Sequence, residues 1–399
     1  MSTRPYQIVV YGATGFTGRQ AAAYLAAHAP QGLRWAIAGR SLDKLQAVRD
    51  TLGRDVPILV ADSSEPSSVD DMVAMTDVIC STAGPFARYG DPVVSAAVVH
   101  GTHYTDITGE TPWVRSLIDR FHGAAAEKGT KIVPFCGFDS IPSDLGTYML
   151  VQYAREQGLG PVTDVLATFS MRGGLNGGTI ASALTMAETG AGRQIGDRRL
   201  LCPGEEVPTA PDRRTVTWDE DRKRWLIPFV MAAINTRVVR RSTALFNHTD
   251  TPYGALRYDE AMETSSRVGG TAMALGLGVV DQALRSPFGR SVVRRFTPNP
   301  GEGPSEAEMD GGFFRVRLTA TAGGKRISGV VSDKGDPGNR ATIKMLMEST
   351  LALATEQLPA RGGVLTPSFA MGDALLRRLR AAGMVWTAAP FDATAFASR

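Results

Sequence analysis

The stretch Ile8-Val9-Val10-Tyr11-Gly12-Ala13-Thr14-Gly15-Phe16-Thr17-Gly18 decides the fold. An apolar, β-branched run enters a glycine-rich turn, and a helix is predicted over residues 19–27. Glycines at this spacing permit a tight turn, let the backbone approach a pyrophosphate, and let the helix pack on the strand. The free N–H groups and positive dipole end of that helix suit a phosphate. The spacing is G-x-x-G-x-x-G and not the commoner G-x-G-x-x-G. The strand before it and the helix after it supply the context that a dinucleotide fingerprint requires. Gly12, Thr14, Gly15, Phe16, Thr17 and Gly18 are therefore candidates to hold the cofactor phosphates.

A second strand over 35–38 ends in Gly39-Arg40-Ser41. An NAD site places Asp or Glu at this strand end to bond the ribose 2′-OH. Here Arg40 stands in that place, with Ser41 beside it and Lys44 one turn on. A guanidinium pairs with a 2′-phosphate, so the expected cofactor is NADP(H). Ser41 also reads as the N-cap of a helix over 42–52.

Further strands are expected over 57–62, 77–82, 103–107 and 131–136, each separated by a helical segment. Strands alternating with helices indicate an α/β fold, a Rossmann-type doubly wound parallel sheet. Ligands of such sheets lie at the carboxyl ends of the strands. Ser81, Thr82, Ala83 and Gly84 then border the cofactor, and Asp62 either meets the adenine edge or only starts a loop. Pro92 is expected in the first turn of a helix over 93–100.

Beyond residue 145 the alternation stops. Strands are expected over 164–171, 215–218, 236–241, 313–321 and 326–332, the last two as a hairpin around Gly323-Gly324. Helices fit 179–194 and 339–357, and loops fit 200–212 and 297–311. This is a second α+β domain with a mixed or antiparallel sheet. The expected division is 1–145 for cofactor binding, 146–360 for substrate or oligomer contacts, and 361–399 returning to the first domain.

The chain has 399 residues, 43% of them hydrophobic, which is too long for one core and ample for two. A net charge of +3 argues against a general nucleic-acid binder. The three cysteines, Cys80, Cys136 and Cys202, form no paired framework, which points to reduced thiols and a cytoplasmic protein. No secretory signal is read before the first strand. The apolar run 268–280 is too short to span a bilayer and reads first as a buried helix. An oligomer contact and a membrane-surface contact are the other readings of it. Residues 193–241 carry eleven basic and seven acidic residues, which reads as a solvated surface or as a docking face for a carrier protein.

No metal-ligand spacing is present. No G-x-S-x-G occurs. No tyrosine is followed four residues later by lysine, so the short-chain dehydrogenase pair is absent. Polar groups left near the strand ends include Tyr89, Asp106, Thr108, Glu110, Asp139, Ser140 and Asp144. Tyr89 could bond a substrate carbonyl or donate a proton. Asp139-Ser140 reads as a helix start, with either residue as cap, and Asp139 is also a catalytic candidate.

Tyr11–Gly18, Ala38-Gly39-Arg40-Ser41, Gly84-Pro85-Phe86, residues 104–110 and residues 136–144 together resemble the saccharopine dehydrogenase-like oxidoreductases. Residues 235–242, 363–367 and 371–376 are similar to the branch called trans-acting enoyl reductases. The resemblance implies reduction of an enoyl double bond on a polyketide or fatty acyl thioester, supplied in trans to a synthase. Tyr89, Asp139 and Ser140 are the catalytic candidates, although the family has no motif that secures them. Two other readings stand beside it. A dehydrogenase acting on a C–N bond would need arginines such as Arg172, Arg193 and Arg237 to clamp carboxylates. A non-catalytic, lipid-associated NADP-binding protein would need neither.

Overall fold

The first half of the chain folds as β1 (Tyr6–Tyr11), β2 (Trp35–Gly39), β3 (Ile58–Val60), β4 (Thr76–Ser81), β5 (His103–Thr105) and β6 (Lys131–Val133). The second half supplies β7 (Val162–Arg172), β8 (Thr217–Asp219), β9 (Arg224–Ile227), β10 (Arg257–Thr264), β11 (Phe313–Ala322), β12 (Lys325–Lys334), β13 (Gly363–Val364) and β14 (Val385–Pro390). This computed structural model describes residues 4–174, 177–295, 297 and 301–394.

Sheet A runs β13-β6-β5-β4-β1-β2-β3, and every pairing in it is parallel. The order reverses at β1, so the carboxyl ends of β1 and β4 open a crevice beside the glycine turn. Val10 lies opposite Ile37 and Cys80, all three out of solvent, as a strand covered on both faces demands. Helices Phe16–His28, Leu42–Thr51 and Thr342–Thr355 contribute to the core on one face; Pro66–Ala74, Phe86–His100 and Thr111–Glu127 contribute to the core on the other.

Sheet B is mixed and runs β14-β12-β11-β7-β10-β9-β8, with only β7 and β10 parallel. The expected hairpin is present: Ala322 pairs with Lys325, and Gly323 and Gly324 take φ of 53° and 78°. Both angles are open to glycine at no steric cost, as the turn requires. The C-terminal segment serves both sheets, β13 at the edge of sheet A and β14 at the edge of sheet B.

Four expectations are corrected. Residues 236–241 are not a strand but the middle of helix Ala232–Asn247, buried along almost its whole length. The β-branched Thr236, Val238 and Val239 among its arginines imitate a strand, and tertiary packing overrides that local preference. Helix Phe86–His100 begins well before Pro92, which sits inside it. Helix Gly177–Glu188 stops short of residue 194, and a 3-10 turn Ala191–Gly196 follows. The expected loop 297–311 contains helix Glu306–Asp310, closed by a Ser305–Glu308 capping box; residues 298–300 lie outside the described residues.

One packing contact controls sheet A. A Cβ placed on Gly18 would lie 2.2 Å from the carbonyl oxygen of Gly12. That oxygen is backbone and cannot swing away. Gly18→Ala is expected to destabilise the protein by about 3 kcal/mol, the upper end for overpacking, and to show as an earlier thermal unfolding transition. An unchanged transition would mean that the helix has freedom to withdraw from the strand.

Candidate cofactor and active site

The three glycines of the turn do different things. Gly12 has φ of 83°, and a Cβ on it would meet the Ala83 nitrogen at 2.9 Å. Gly18 packs the helix on the turn. Gly15 alone has room on the protein side, with only the Gly12 oxygen near, at 3.3 Å from a Cβ. The turn hangs from β2 through the N–H groups of Gly12 and Ala13, both donated to the Ala38 carbonyl. Helix Phe16–His28 has no side-chain cap and no acid in its first turn. An uncapped positive helix end beside a glycine with open space fits a pyrophosphate. Thr14 and Thr17 are half-buried beside it.

Arg40 is exposed at the end of β2 and forms no ion pair among the described residues. Ser41 caps helix Leu42–Thr51, accepting the Lys44 N–H at 3.5 Å, and the Lys44 side chain is exposed. The Asp62 carboxylate accepts the Ser64 N–H at 3.0 Å, and that bond holds it below the usual carboxylate range. The loop-starting use of Asp62 is therefore present. Beyond β4, Ser81 is fully buried and Thr82 turns its hydroxyl back onto the Tyr11 carbonyl at 2.9 Å. Ala83 is half-buried and Gly84 exposed.

Two carboxylates after β5 shape the far side. Asp106 accepts the Tyr104 hydroxyl at 2.7 Å, the Thr108 N–H at 2.9 Å and the Phe135 N–H at 3.2 Å. Burial pushes its carboxyl up to about 7. Glu110 accepts the N–H groups of Phe86 at 2.9 Å and Ala87 at 2.8 Å, and so caps helix Phe86–His100. The same carboxylate accepts the Ser182 hydroxyl at 2.8 Å, from helix Gly177–Glu188. Tyr89 sits in the first turn of the capped helix, half-buried, and its hydroxyl makes no hydrogen bond among the described residues.

Asp139 and Ser140 follow β6. Ser140 occupies the N-cap of helix Ile141–Glu156, but neither it nor Asp139 caps by its side chain, which corrects the expectation. The Ser140 hydroxyl reaches Asn235 at 3.4 Å, and Asn235 donates to Glu260 at 2.9 Å. Glu260, fully buried, also accepts from Ser143 and Tyr258, and burial raises it to about 7. Asp144 accepts from the hydroxyls of Ser242 and Ser368 and from the Ser368 N–H, joining three helices. Asp139 has no hydrogen-bond partner among the described residues, and desolvation pushes it up to about 6.

Sequence reasoning missed Ser182, Asn235 and Gly303, each distant along the chain from the strand ends it touches. Gly303 lies against the Phe16 ring, where a Cβ would come within 2.4 Å, and Arg19 donates to the Gly301 carbonyl at 3.5 Å. Phe16 thus carries a crossing segment of the second half. Only its place in the glycine turn marked it in advance.

The basic run 193–241 is divided: Arg198, Arg199, Arg214 and Lys223 are exposed, as a solvated surface requires, whereas Arg222, Arg237, Arg240 and Arg241 are buried. Arg237 forks onto Asp212 at 2.6 and 2.9 Å, and Arg172 donates to the Gly311 carbonyl from an exposed position. Arg237 is thus spent on Asp212 and is not left to clamp a substrate carboxylate; the Arg193 side chain lies outside the described residues. No group of three or more His, Cys, Asp or Glu among the described residues is placed to hold a metal ion.

The family model of the saccharopine dehydrogenase NADP-binding domain matches residues 8–133. A Mycobacterium tuberculosis (strain ATCC 25618 / H37Rv) protein, provisionally named a trans-acting enoyl reductase, is 43% identical over 96% of this chain and 97% of its own. The trans-acting enoyl reductase of Mycobacterium bovis (strain BCG / Pasteur 1173P2) is 38% identical over 96% of this chain and 97% of its own. Among solved structures, apo saccharopine dehydrogenase (L-Glu forming) from Saccharomyces cerevisiae superposes with a TM-score of 0.52 at 13% identity, covering 97% of this chain and 100% of that one. That last likeness is one of fold.

Asp139 yields a test of the site's electrostatics. Its folded-state affinity for a proton is raised, so its stabilising contribution is full below about pH 4 and lost as pH rises through about 6. Asp139→Asn is therefore expected to stabilise the protein at pH 8 by up to about 3 kcal/mol, with the gain vanishing below pH 4. Thermal unfolding of both proteins across that range measures it. A pH-independent difference would mean that the carboxyl keeps its water.

Proposed function

This chain belongs to the saccharopine dehydrogenase-like family, in the branch of the trans-acting enoyl reductases, and from that membership we propose that it is an NADPH-dependent enoyl reductase. It acts in trans on a polyketide or fatty acyl thioester, delivered on the carrier protein of a synthase. The observation that carries the reading is identity of 38–43% along 96% of the chain, which spans the glycine turn, the Glu110 loop and the second sheet alike. Free, buried Cys80, Cys136 and Cys202 support a reducing, cytosolic setting.

In this reading Gly12, Thr14, Gly15, Phe16, Thr17 and Gly18 hold the pyrophosphate, with Ser81, Thr82, Ala83 and Gly84 along the next strand end. Arg40, with Ser41 and Lys44, receives the 2′-phosphate, and Asp62 shapes the adenine side. NADPH, when bound, supplies a hydride to Cβ of the enoyl thioester. Tyr89 offers its hydroxyl to the thioester carbonyl, where charge gathers as the hydride arrives. Asp139 and Ser140 order the opposite wall, Ser140 through its bond to Asn235. The protein's own work is to hold these groups still and to keep water off them.

NADPH oxidation with short enoyl thioesters is the direct assay. Turnover is expected with these and not with mixtures of a 2-oxo acid and an amine; the reverse result replaces the proposal with C–N bond chemistry. Tyr89→Phe is expected to lower kcat by roughly 10²–10³ while leaving NADPH affinity within about twofold. Full turnover by that variant would reduce Tyr89 to packing.

Arg40 tests cofactor choice separately. A charge-assisted bond to the 2′-phosphate contributes about 1.5–3 kcal/mol. Arg40→Ala should then weaken NADPH about tenfold to a hundredfold and leave NADH unchanged. Equal wild-type affinities for the two, measured calorimetrically, would refute the assignment.

A further inference from the structure

Helices Arg267–Leu284 and Pro287–Arg295 correct the expectation of a buried helix over 268–280. Of residues 267–280 only Gly270 is buried. A Cβ on Gly270 would lie 2.7 Å from Thr264 and 2.8 Å from Ile227, so this glycine is where the first helix rests on sheet B. The rest of it stands in solvent: Val268 is 80% exposed, Leu275 67% and Val279 69%. Their spacing of seven and four places them on one stripe. On the second helix Phe288 is 80% exposed, and Val292, one turn on, is exposed beside it.

The pair is a built element. The Ser286 hydroxyl accepts the Gly289 N–H at 3.0 Å, and Gly289 packs so tightly on Ala283 that no side chain would fit. Residues 266–295 hold five arginines (267, 285, 290, 294 and 295) and one acid, Asp281. Helical spacing sets Arg290 and Arg294 opposite Phe288 and Val292. No helix among the described residues is long and apolar enough to cross a membrane.

An exposed apolar stripe with arginine on the opposite face, on helices too short to span, has the chemistry of an element that lies in a bilayer surface. We propose that this helix pair anchors the protein on an anionic lipid surface. The stripe enters the headgroup boundary, and the exposed Arg295, on the same face as Phe288 and Val292, meets lipid phosphates, while Arg267 stacks over Trp225, Arg290 bonds the Leu284 carbonyl and Arg294 pairs with Glu188. A second copy of this chain is the weaker occupant, because it would bring two sets of five arginines together. The anchor also has a path to the site. Arg294 pairs with Glu188 at 2.8 Å, at the end of helix Gly177–Glu188, whose Ser182 bonds Glu110. Anchoring therefore sets the candidate active site beside the lipid boundary. The inference stands independently of the enoyl-reductase reading, since it concerns binding with no cofactor or substrate present.

Sedimentation of the full chain with phosphatidylglycerol–phosphatidylcholine vesicles, against pure phosphatidylcholine vesicles, tests it. Binding is expected to the anionic vesicles, to weaken with salt, and to be slight on the neutral ones. Val279→Asp with Phe288→Asp should reduce it by at least about tenfold. Both positions are exposed, so the thermal transition should stay unchanged. Arg295→Gln, at an exposed position, should weaken anionic binding about fivefold, at about 1 kcal/mol for one arginine. No sedimentation with anionic vesicles would overturn the proposal, as would binding that the two aspartates leave intact. Light scattering that finds a dimer dissolved by Val279→Asp would assign the face to a second copy instead.

Discussion

The carboxylate of Glu110 joins the two halves of this protein. It starts helix Phe86–His100 by accepting two backbone N–H groups, and it takes the Ser182 hydroxyl from helix Gly177–Glu188. A buried carboxylate left without donors costs several kcal/mol, so all three donors must arrive for any of them to be useful. The loop that presents Glu110 is set in turn by Asp106, which gathers donors from within β5, from the loop after it and from beyond the end of β6. The position of Tyr89, one turn inside the capped helix, follows from these contacts.

The same economy recurs at the start of helix Ile141–Glu156. Asp144 ties that helix to Ala232–Asn247 and Pro367–Ala381, and Glu260 ties it to sheet B through Ser143. Helix Thr342–Thr355 supplies the apolar counterpart. Its Leu346 and Leu351 share one continuous core with Val10 and Ile37 of sheet A and with Leu318 and Val331 of sheet B. Polar pins inside an apolar core fix one arrangement among many that hydrophobic burial alone would tolerate. The crevice at β1 and β4 is thereby held against residues from the second half, including the segment that crosses Phe16.

Two features lie outside this economy. Arg40 and the helix pair Arg267–Arg295 are exposed, and neither serves the core. Arginine and large apolar side chains held out in water point to partners that the fold itself does not supply. By contrast the arginines of helix Ala232–Asn247, which composition alone would have placed on a surface, are spent on carbonyls and on Asp212.

Sheet A was legible in the sequence because its signals are local. A parallel strand buried on both faces reads as an unbroken apolar run, and the glycine turn carries its own spacing. The glycine-turn candidates and Arg40 were legible for the same reason, as was the hairpin at Gly323-Gly324. β9, β10, β13 and β14 were not: β13 and β14 are edge strands, and β10, β13 and β14 pair with strands far along the chain. Helix Ala232–Asn247 was hidden because its β-branched Thr236, Val238 and Val239 imitate a strand. Residues 268–280 misled in the opposite sense: apolar composition says that a segment avoids water, not that the fold has room for it. Residue order thus determined the doubly wound sheet, the glycine turn and the NADP-binding class of the domain. Tertiary structure alone decided which carboxylates gather donors, which arginines are spent and which apolar helix stays outside, because those outcomes depend on contacts between residues from about twenty to more than a hundred positions apart.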